Sequence, residues 1–183
     1  MAVRIKSQWH KEGRTRSTEE IAGAIAFNCW KLAMDRAMNL HSEQFSYDSP
    51  RQHMDVLIEY LIFQVQITDR LAHSRFEEEE RQALITALVL KLAEHVQSNS
   101  EEELGSGDYA SPFIAKFNQR SAEYAELGFT DEGPSYPFLR HLGHEIQCLM
   151  GESQENRWVI DQVMDKDGPE VYKLLLRAIR SML

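Results

Sequence analysis

The stretch from Pro50 to about Arg75 constrains the fold most, because as a helix it is apolar around most of its circumference. Residues follow one another at about 100° in a helix, and the remaining arc is shared by five polar side chains: Glu59, Gln66, Asp69, Arg70 and His73. A helix that is apolar over so much of its surface usually lies in the middle of a bundle. We therefore predict that the rest of the chain packs around this segment.

Cap and proline signals divide the chain into further helices. Ser17 and Glu20 have the spacing of a capping box, Ser49-Pro50 opens the central helix, and an acidic run (EEEER, residues 77–81) opens the next. The other predicted helices follow the same kind of signal. In order, the predicted helices are Glu19–His41, Pro50–Arg75, one from residue 77 through Val96, one from Ser111-Pro112 to a stop at Gly128, Pro137–Met150, one around Arg157–Met164, and Pro169 to the end, with a break at 167–169.

Residues 98–111 (SNSEEELGSGDYAS) have no helical periodicity and are polar and acidic, so we predict a surface loop there. Residues 130–137 (TDEGPSYP) are predicted to form a turn. Strict alternation of β-branched residues and hairpin dipeptides such as Asn-Gly are missing from the sequence. The predicted fold is an all-α, single-domain bundle of about six or seven helices over residues 17–183, after a flexible basic N-terminal arm at residues 1–16.

Charge and cysteine content limit the classes of partner. The formal net charge is −9, and the basic arm makes the remainder still more acidic, so nucleic acid is an unfavourable main partner. Cys29 and Cys148 lie in predicted helices without a zinc-like spacing, which is typical of a reduced, cytoplasmic protein. Since no run of about 18 uncharged apolar residues occurs, we expect no association with a membrane.

The string HLGHEIQC in the predicted Pro137–Met150 helix is the most suggestive for chemistry. His141, His144 and Glu145 share one arc and have the donor atoms and spacing to bind a divalent metal. If this arc meets the polar arc of the central helix, Asp69 or His73 would complete the site.

Two alternatives to a metal site remain open. The polar arcs can simply face water, or their acids can pair with Arg70 or Arg140 in an internal ion-pair network. The zinc-protease and di-iron motifs are missing from the sequence. Cys148 lies four residues from His144, but we find no oxyanion donors for a nucleophilic thiol.

The first predicted helix has two apolar faces. One is built of small residues such as Ala22 and Ala26, and the other of the bulky Phe27, Trp30 and Met34. Since one neighbour cannot cover both faces, we predict a non-enzymatic association or regulatory protein that forms a homodimer or binds another protein. The alternative is a metal-binding protein or metal-assisted enzyme, with no other cofactor expected. A third hypothesis is that the basic arm contacts an acidic partner or nucleic acid.

Overall fold

In the computed structural model, residues 16–42 and 45–183 are described, so all of the predicted arm except Arg16 lies outside the described residues. The fold is an all-α bundle, as predicted, and it also contains one very small two-stranded sheet that was not predicted. Its elements in chain order are α1 (Thr18–Ser42), α2 (Pro50–His73), α3 (Glu78–Leu104), α4 (Ala110–Ala125), β1 (Phe129–Thr130), β2 (Gly133–Pro134), α5 (Tyr136–Met150), α6 (Val159–Gln162), a π-helical turn (Val163–Asp167) and α7 (Gly168–Ile179).

Helix α2 is the centre of the bundle. Its residues from Val56 to Thr68 are buried without interruption, and it packs against α1, α3, α4, α5 and α7. Burial of each large apolar side chain contributes roughly 1.5–3 kcal/mol before the entropy of ordering is subtracted. The prediction of a central helix at this position is therefore confirmed.

The predicted N-terminal caps of α1 and α2 are present. The Ser17 and Glu20 side chains each accept a hydrogen bond from the other residue's backbone N–H at 3.2 Å, which is the reciprocal capping box. Ser49 Oγ accepts a hydrogen bond from the Gln52 N–H at 3.1 Å. Both caps satisfy amides that have no partner inside the helix.

The predicted loop at residues 98–111 is wrong over its first half, where α3 continues to Leu104. Ser100 is 1% exposed, so this turn of polar residues is held by packing that periodicity does not show. The helix ends at Gly105, whose φ of +93° favours glycine. Helix α4 begins at Ala110, slightly before the predicted Ser111-Pro112, and Asp108 Oδ1 accepts a hydrogen bond from the Ser111 N–H at 3.0 Å.

The predicted turn at 130–137 contains a short antiparallel hairpin, in which Phe129 pairs with Pro134 and Thr130 with Gly133. The predicted left-handed stop at Gly128 is wrong, because α4 has already ended at Ala125. Gly133 takes the positive φ instead, at +118°. The hairpin leads into α5, which ends at Met150 before Gly151 (φ +76°), as predicted.

The predicted break at residues 167–169 is replaced by the π-helical turn that joins α6 to α7. The Gly168 N–H donates to the carbonyl of Val163, five residues earlier. Asp167, in this turn, is only 3% exposed and accepts a hydrogen bond from Tyr60 Oη at 2.8 Å. The C-terminal helices are therefore fastened to α2 through a buried polar contact.

Candidate functional site

The polar arc of α2 does not simply face water. Glu59 is 1% exposed and Gln66 is 7% exposed, Asp69 and Arg70 are half-buried, and only His73 is exposed. The interpretation of this arc as a solvated face is therefore wrong for most of its members. The arc divides into two neighbourhoods, one around Glu59 and the other around Asp69 and Arg70.

Glu59 is held by Arg120 of α4 in a two-point contact. Arg120 Nε donates to Glu59 Oε2 at 3.1 Å, and Nη2 donates to Oε1 at 3.0 Å. Lys116, one turn earlier in α4, places Nζ 3.4 Å from Glu59 Oε1. A carboxylate this deeply buried requires such partners, and removal of one partner of a buried pair typically costs about 3–5 kcal/mol.

Arg120 also links two further acids. Its Nη1 donates to Glu123 Oε2 at 2.9 Å, and its Nη2 donates to Glu145 of α5. Burial alone would lower the pKa of the guanidinium, but the hydrogen bond and charge of Glu59, followed by Glu123 and Glu145, raise it. Burial alone would raise the pKa of Glu123, but the hydrogen bonds from Gln119 and Arg120 outweigh burial and lower this pKa.

This network is the ion-pair alternative of the sequence analysis, with a different arginine at its centre. Arg120 takes the position for which Arg70 or Arg140 was proposed. Arg140 is exposed, and Arg70 donates instead to the backbone carbonyl of Tyr124 at 3.0 Å.

Three side chains at the edge of the network have the arrangement of metal ligands. One donor atom each from Glu123, His141 and Glu145 lies within 4.8 Å of the other two. His141 Nε2 is 3.1 Å from Glu123 Oε2 but not aligned for a hydrogen bond, so this buried nitrogen has no hydrogen-bond partner among the described residues. Within the described part of the chain, no other group of three or more His, Cys, Asp or Glu side chains is this close.

The structure brings together two of the five residues predicted as metal ligands, His141 and Glu145. His144 points to the exposed side of α5, where its Nε2 is 3.6 Å from Cys148 Sγ. Asp69 is paired with Arg81 of α3, and Asp69 and His73 line a separate cavity. The joining of the two predicted arcs in one metal site is therefore not what the structure shows.

The sequence analysis missed Arg120 and Glu123. Lys116, Arg120 and Glu123 recur at spacings of four and three residues, so they lie along one side of α4. That pattern is the signal that could have found them, but the same pattern is common on ordinary solvated helices. Only the contact with Glu59 distinguishes the two cases.

A cavity of about 470 Å³ lies between α2, α3 and α4. Its polar wall carries Gln66, Asp69, Arg70 and Arg81, and its apolar wall includes Phe117. Gln66 Nε2 donates to Ser121 Oγ at 2.8 Å, which ties α2 to α4 at the cavity wall.

The outer face of α1 is a third candidate, for contact with a protein. Ala22, Ala26, Ala33 and Ala37 are fully buried on the inner face, as predicted for a closely packed neighbour. On the outer face, Phe27 is 52%, Met34 38% and Met38 60% exposed. A Cβ added to Gly23 would meet nothing within 4 Å, so the surface there is open.

Comparisons with protein-family models, with curated proteins and with solved structures found no match to this chain. The described helices include none that is both long and apolar enough to cross a membrane.

Proposed function

We propose that the protein is a non-enzymatic association module that forms a homodimer through the outer face of α1. The observation that carries this proposal is the row of large apolar side chains on that face, Phe27, Met34 and Met38, which have no partner across them within the described residues. Single exposed apolar residues are ordinary, but three along one face of one helix form a continuous surface.

The spacing of this face fits a second helix. Gly23, Phe27, Trp30 and Met34 follow one another at intervals of four, three and four residues. Alternation of three and four is the pattern by which side chains of paired helices interlock. Trp30 is half-buried and its ring lies 5.6 Å from that of His95, so it is fixed in place at one edge of the face.

A second copy of the chain is the partner that this face fits. If two α1 helices pair antiparallel about a two-fold axis between Trp30 and Lys31, Phe27 of each copy lies opposite Met34 of the other. In the same pairing, Met38 lies opposite Gly23, so the long side chain meets the open surface. A two-fold interface requires such self-complementarity, and here each large residue faces a different residue rather than its own copy.

The apparent mass in solution tests this proposal. We expect light scattering of the native chain to approach twice the monomer mass of 21.2 kDa as the protein concentration rises. Phe27→Glu places charge in the middle of the interface, and we expect this variant to remain a monomer. Leu90→Glu is the matched control, because Leu90 of α3 has the same 52% exposure and lies on another helix.

A monomer mass for the native chain over the whole concentration range would overturn the proposal. Equal loss of the dimer in both variants would also overturn it, because the effect would then not belong to α1.

The exposed thiol of Cys148, which forms no disulfide, agrees with a reducing compartment such as the cytoplasm.

Binding of a divalent metal by Glu123, His141 and Glu145 is a second candidate function. The close approach of the three donor atoms and the unpartnered His141 Nε2 favour it. Arg120 competes with it, because the guanidinium already donates to both acids. Binding of an ion would require Arg120 to give up Glu123 and Glu145 while it keeps its two-point contact with Glu59.

Thermal unfolding with Zn²⁺, Mn²⁺ or chelator tests this candidate. A ligand that binds only the folded state stabilises it by mass action, so we expect Zn²⁺ or Mn²⁺ to raise Tm by a few degrees. His141→Gln should abolish the rise and His144→Gln, an exposed histidine on the same helix, should keep it. If neither metal raises Tm, or if both variants behave alike, this site does not bind metal.

A further inference from the structure

We propose that the cavity between α2, α3 and α4 binds a small monocarboxylate with an apolar body. The cavity and the outer face of α1 lie on different helices, so the test of ligand binding does not depend on the homodimer. Its volume of about 470 Å³ lies in the range of small-molecule sites, which are commonly 300–1,000 Å³.

One wall of the cavity is suited to an apolar group. Val65 is fully buried, and Ile85 and Phe117 are half-buried members of the core that present part of their surface to the cavity. Transfer of an apolar ligand group from water to such a wall is favourable. The site can therefore hold a hydrocarbon chain or ring.

The opposite wall offers one uncommitted positive charge. The guanidinium of Arg81 is already paired with two acids, because it donates to Asp69 through Nη1 and to Glu78 through Nε and Nη2. Arg70 is different, since only its Nη2 is engaged, with the backbone carbonyls of Tyr124 and Ala125 at the end of α4 and of Leu127 just after it. Its Nε and Nη1 have no acceptor in the described part of the chain.

The charge balance selects a monoanion. Arg81 is already paired with Asp69 and Glu78, so Arg70 is the arginine of the lining that has no carboxylate partner within the described residues, and one such cation matches one negative charge. A dianion such as a phosphate monoester would meet Asp69 without a second free cation. A carboxylate accepts from guanidinium N–H groups in charge-assisted hydrogen bonds, which are about twice as strong as neutral ones.

Gln66 adds a fixed polar group to the polar wall of the cavity. It is 7% exposed, and the one hydrogen bond that its side chain makes within the described residues runs from Nε2 to Ser121 Oγ at 2.8 Å. The amide nitrogen carries two N–H groups, so the second of them is left to donate. A ligand carboxylate in the cavity can accept a hydrogen bond from this second N–H.

Calorimetric titration with benzoate and hexanoate, with benzamide as the neutral analogue of benzoate, tests this proposal. We expect the carboxylates to bind and benzamide to bind at least tenfold more weakly. Arg70→Gln should weaken benzoate binding at least tenfold. Arg140→Gln is the matched control with the same change of charge at an exposed position, and it should leave binding unchanged.

Ala125→Phe gives a second variant that does not depend on Arg70. Ala125 is exposed at the end of α4 and lines the cavity, so a phenyl ring there fills the space without changing the core. We expect this variant to fold with the native circular dichroism spectrum and to lose benzoate binding. Equal binding of benzamide, equal effects of the two arginine variants, or no binding of either carboxylate at millimolar concentration would overturn the proposal.

Discussion

Among the described residues, the buried carboxylates are those of Glu59 and Asp167, and the two have different surroundings. Glu59 has the two-point contact with Arg120 that offsets the loss of water. Asp167 accepts hydrogen bonds from Tyr60 Oη and Gln162 Nε2 but has no ion pair within 4 Å among the described residues. Burial raises the pKa of Asp167, and it outweighs the hydrogen bond of Tyr60 and the charge of Arg36, which lower it.

The raised pKa of Asp167 makes stability depend on pH. The folded protein holds this proton more tightly than the unfolded chain, so protonation stabilises the fold. The stabilisation is complete below the ordinary Asp pKa of about 3.9, and it is lost as the pH rises through the raised value. We expect the free energy of unfolding of the native chain, relative to Asp167→Asn, to fall between pH 4 and pH 7.

Urea unfolding of both proteins at several pH values measures this difference. The full change of this difference with pH is about 1.4 kcal/mol for each unit by which the pKa of Asp167 is raised. Tyr60→Phe removes a hydrogen bond that favours the charged form, so the pH dependence should become steeper in that background. A native advantage that grows with pH would contradict this account of Asp167.

Single residues of the Arg120 network were predictable only in part. Helical periodicity placed Glu59 among the polar side chains of α2, and His141 with Glu145 on one side of α5. It could not show that Arg120 and Glu123 of α4 meet them, because that depends on how α4 is rotated against α2. Periodicity also could not show that Asp69 and His141 lie apart, because this too depends on how the helices are rotated against one another.

At the scale of elements, two helical glycines have opposite roles. A Cβ on Gly143 of α5 would lie 2.9 Å from the backbone oxygen of Ile160, so this glycine permits the close approach of α5 and α6. A Cβ on Gly23 of α1 would meet nothing within 4 Å. Glycine in the interior of a helix costs roughly 0.5–1 kcal/mol relative to alanine, and of these two glycines only Gly143 has a packing reason within a single chain.

Substitution of each glycine by alanine should therefore change stability in opposite directions. We expect Gly143→Ala to lower the free energy of unfolding by about 1–3 kcal/mol, because the backbone of α6 must move. Gly23→Ala should raise it by about 0.5–1 kcal/mol. Urea denaturation at low protein concentration measures both, and stabilisation by Gly143→Ala would show that α5 and α6 are not in close contact.

The helices themselves were largely predictable, since their caps are local in sequence. Ser17, Ser49 and Gly151 mark helix ends in the sequence and in the structure. The extension of α3 through Ser100 and the π-helical turn at Asp167 were not predictable, because both are stabilised by burial against other elements. Local signals locate helix ends only where no tertiary contact overrides them.

For the whole molecule, the central claim is that the outer face of α1 pairs with the same face of a second copy. Formation of an intermolecular disulfide measures this pairing directly, because it requires two Cα atoms to come within about 7 Å. Cys148 is exposed and is replaced by serine in this experiment. Cys29 can stay, since it is buried and burial raises the pKa of its thiol to about 12.

Chains carrying Gly23→Cys and chains carrying Met38→Cys are then oxidised separately and as a mixture. The antiparallel pairing predicts that the mixture forms a cross-linked dimer, by non-reducing electrophoresis, much faster than either chain alone. No cross-link in the mixture, or one that forms as fast in Gly23→Cys chains alone, would contradict it.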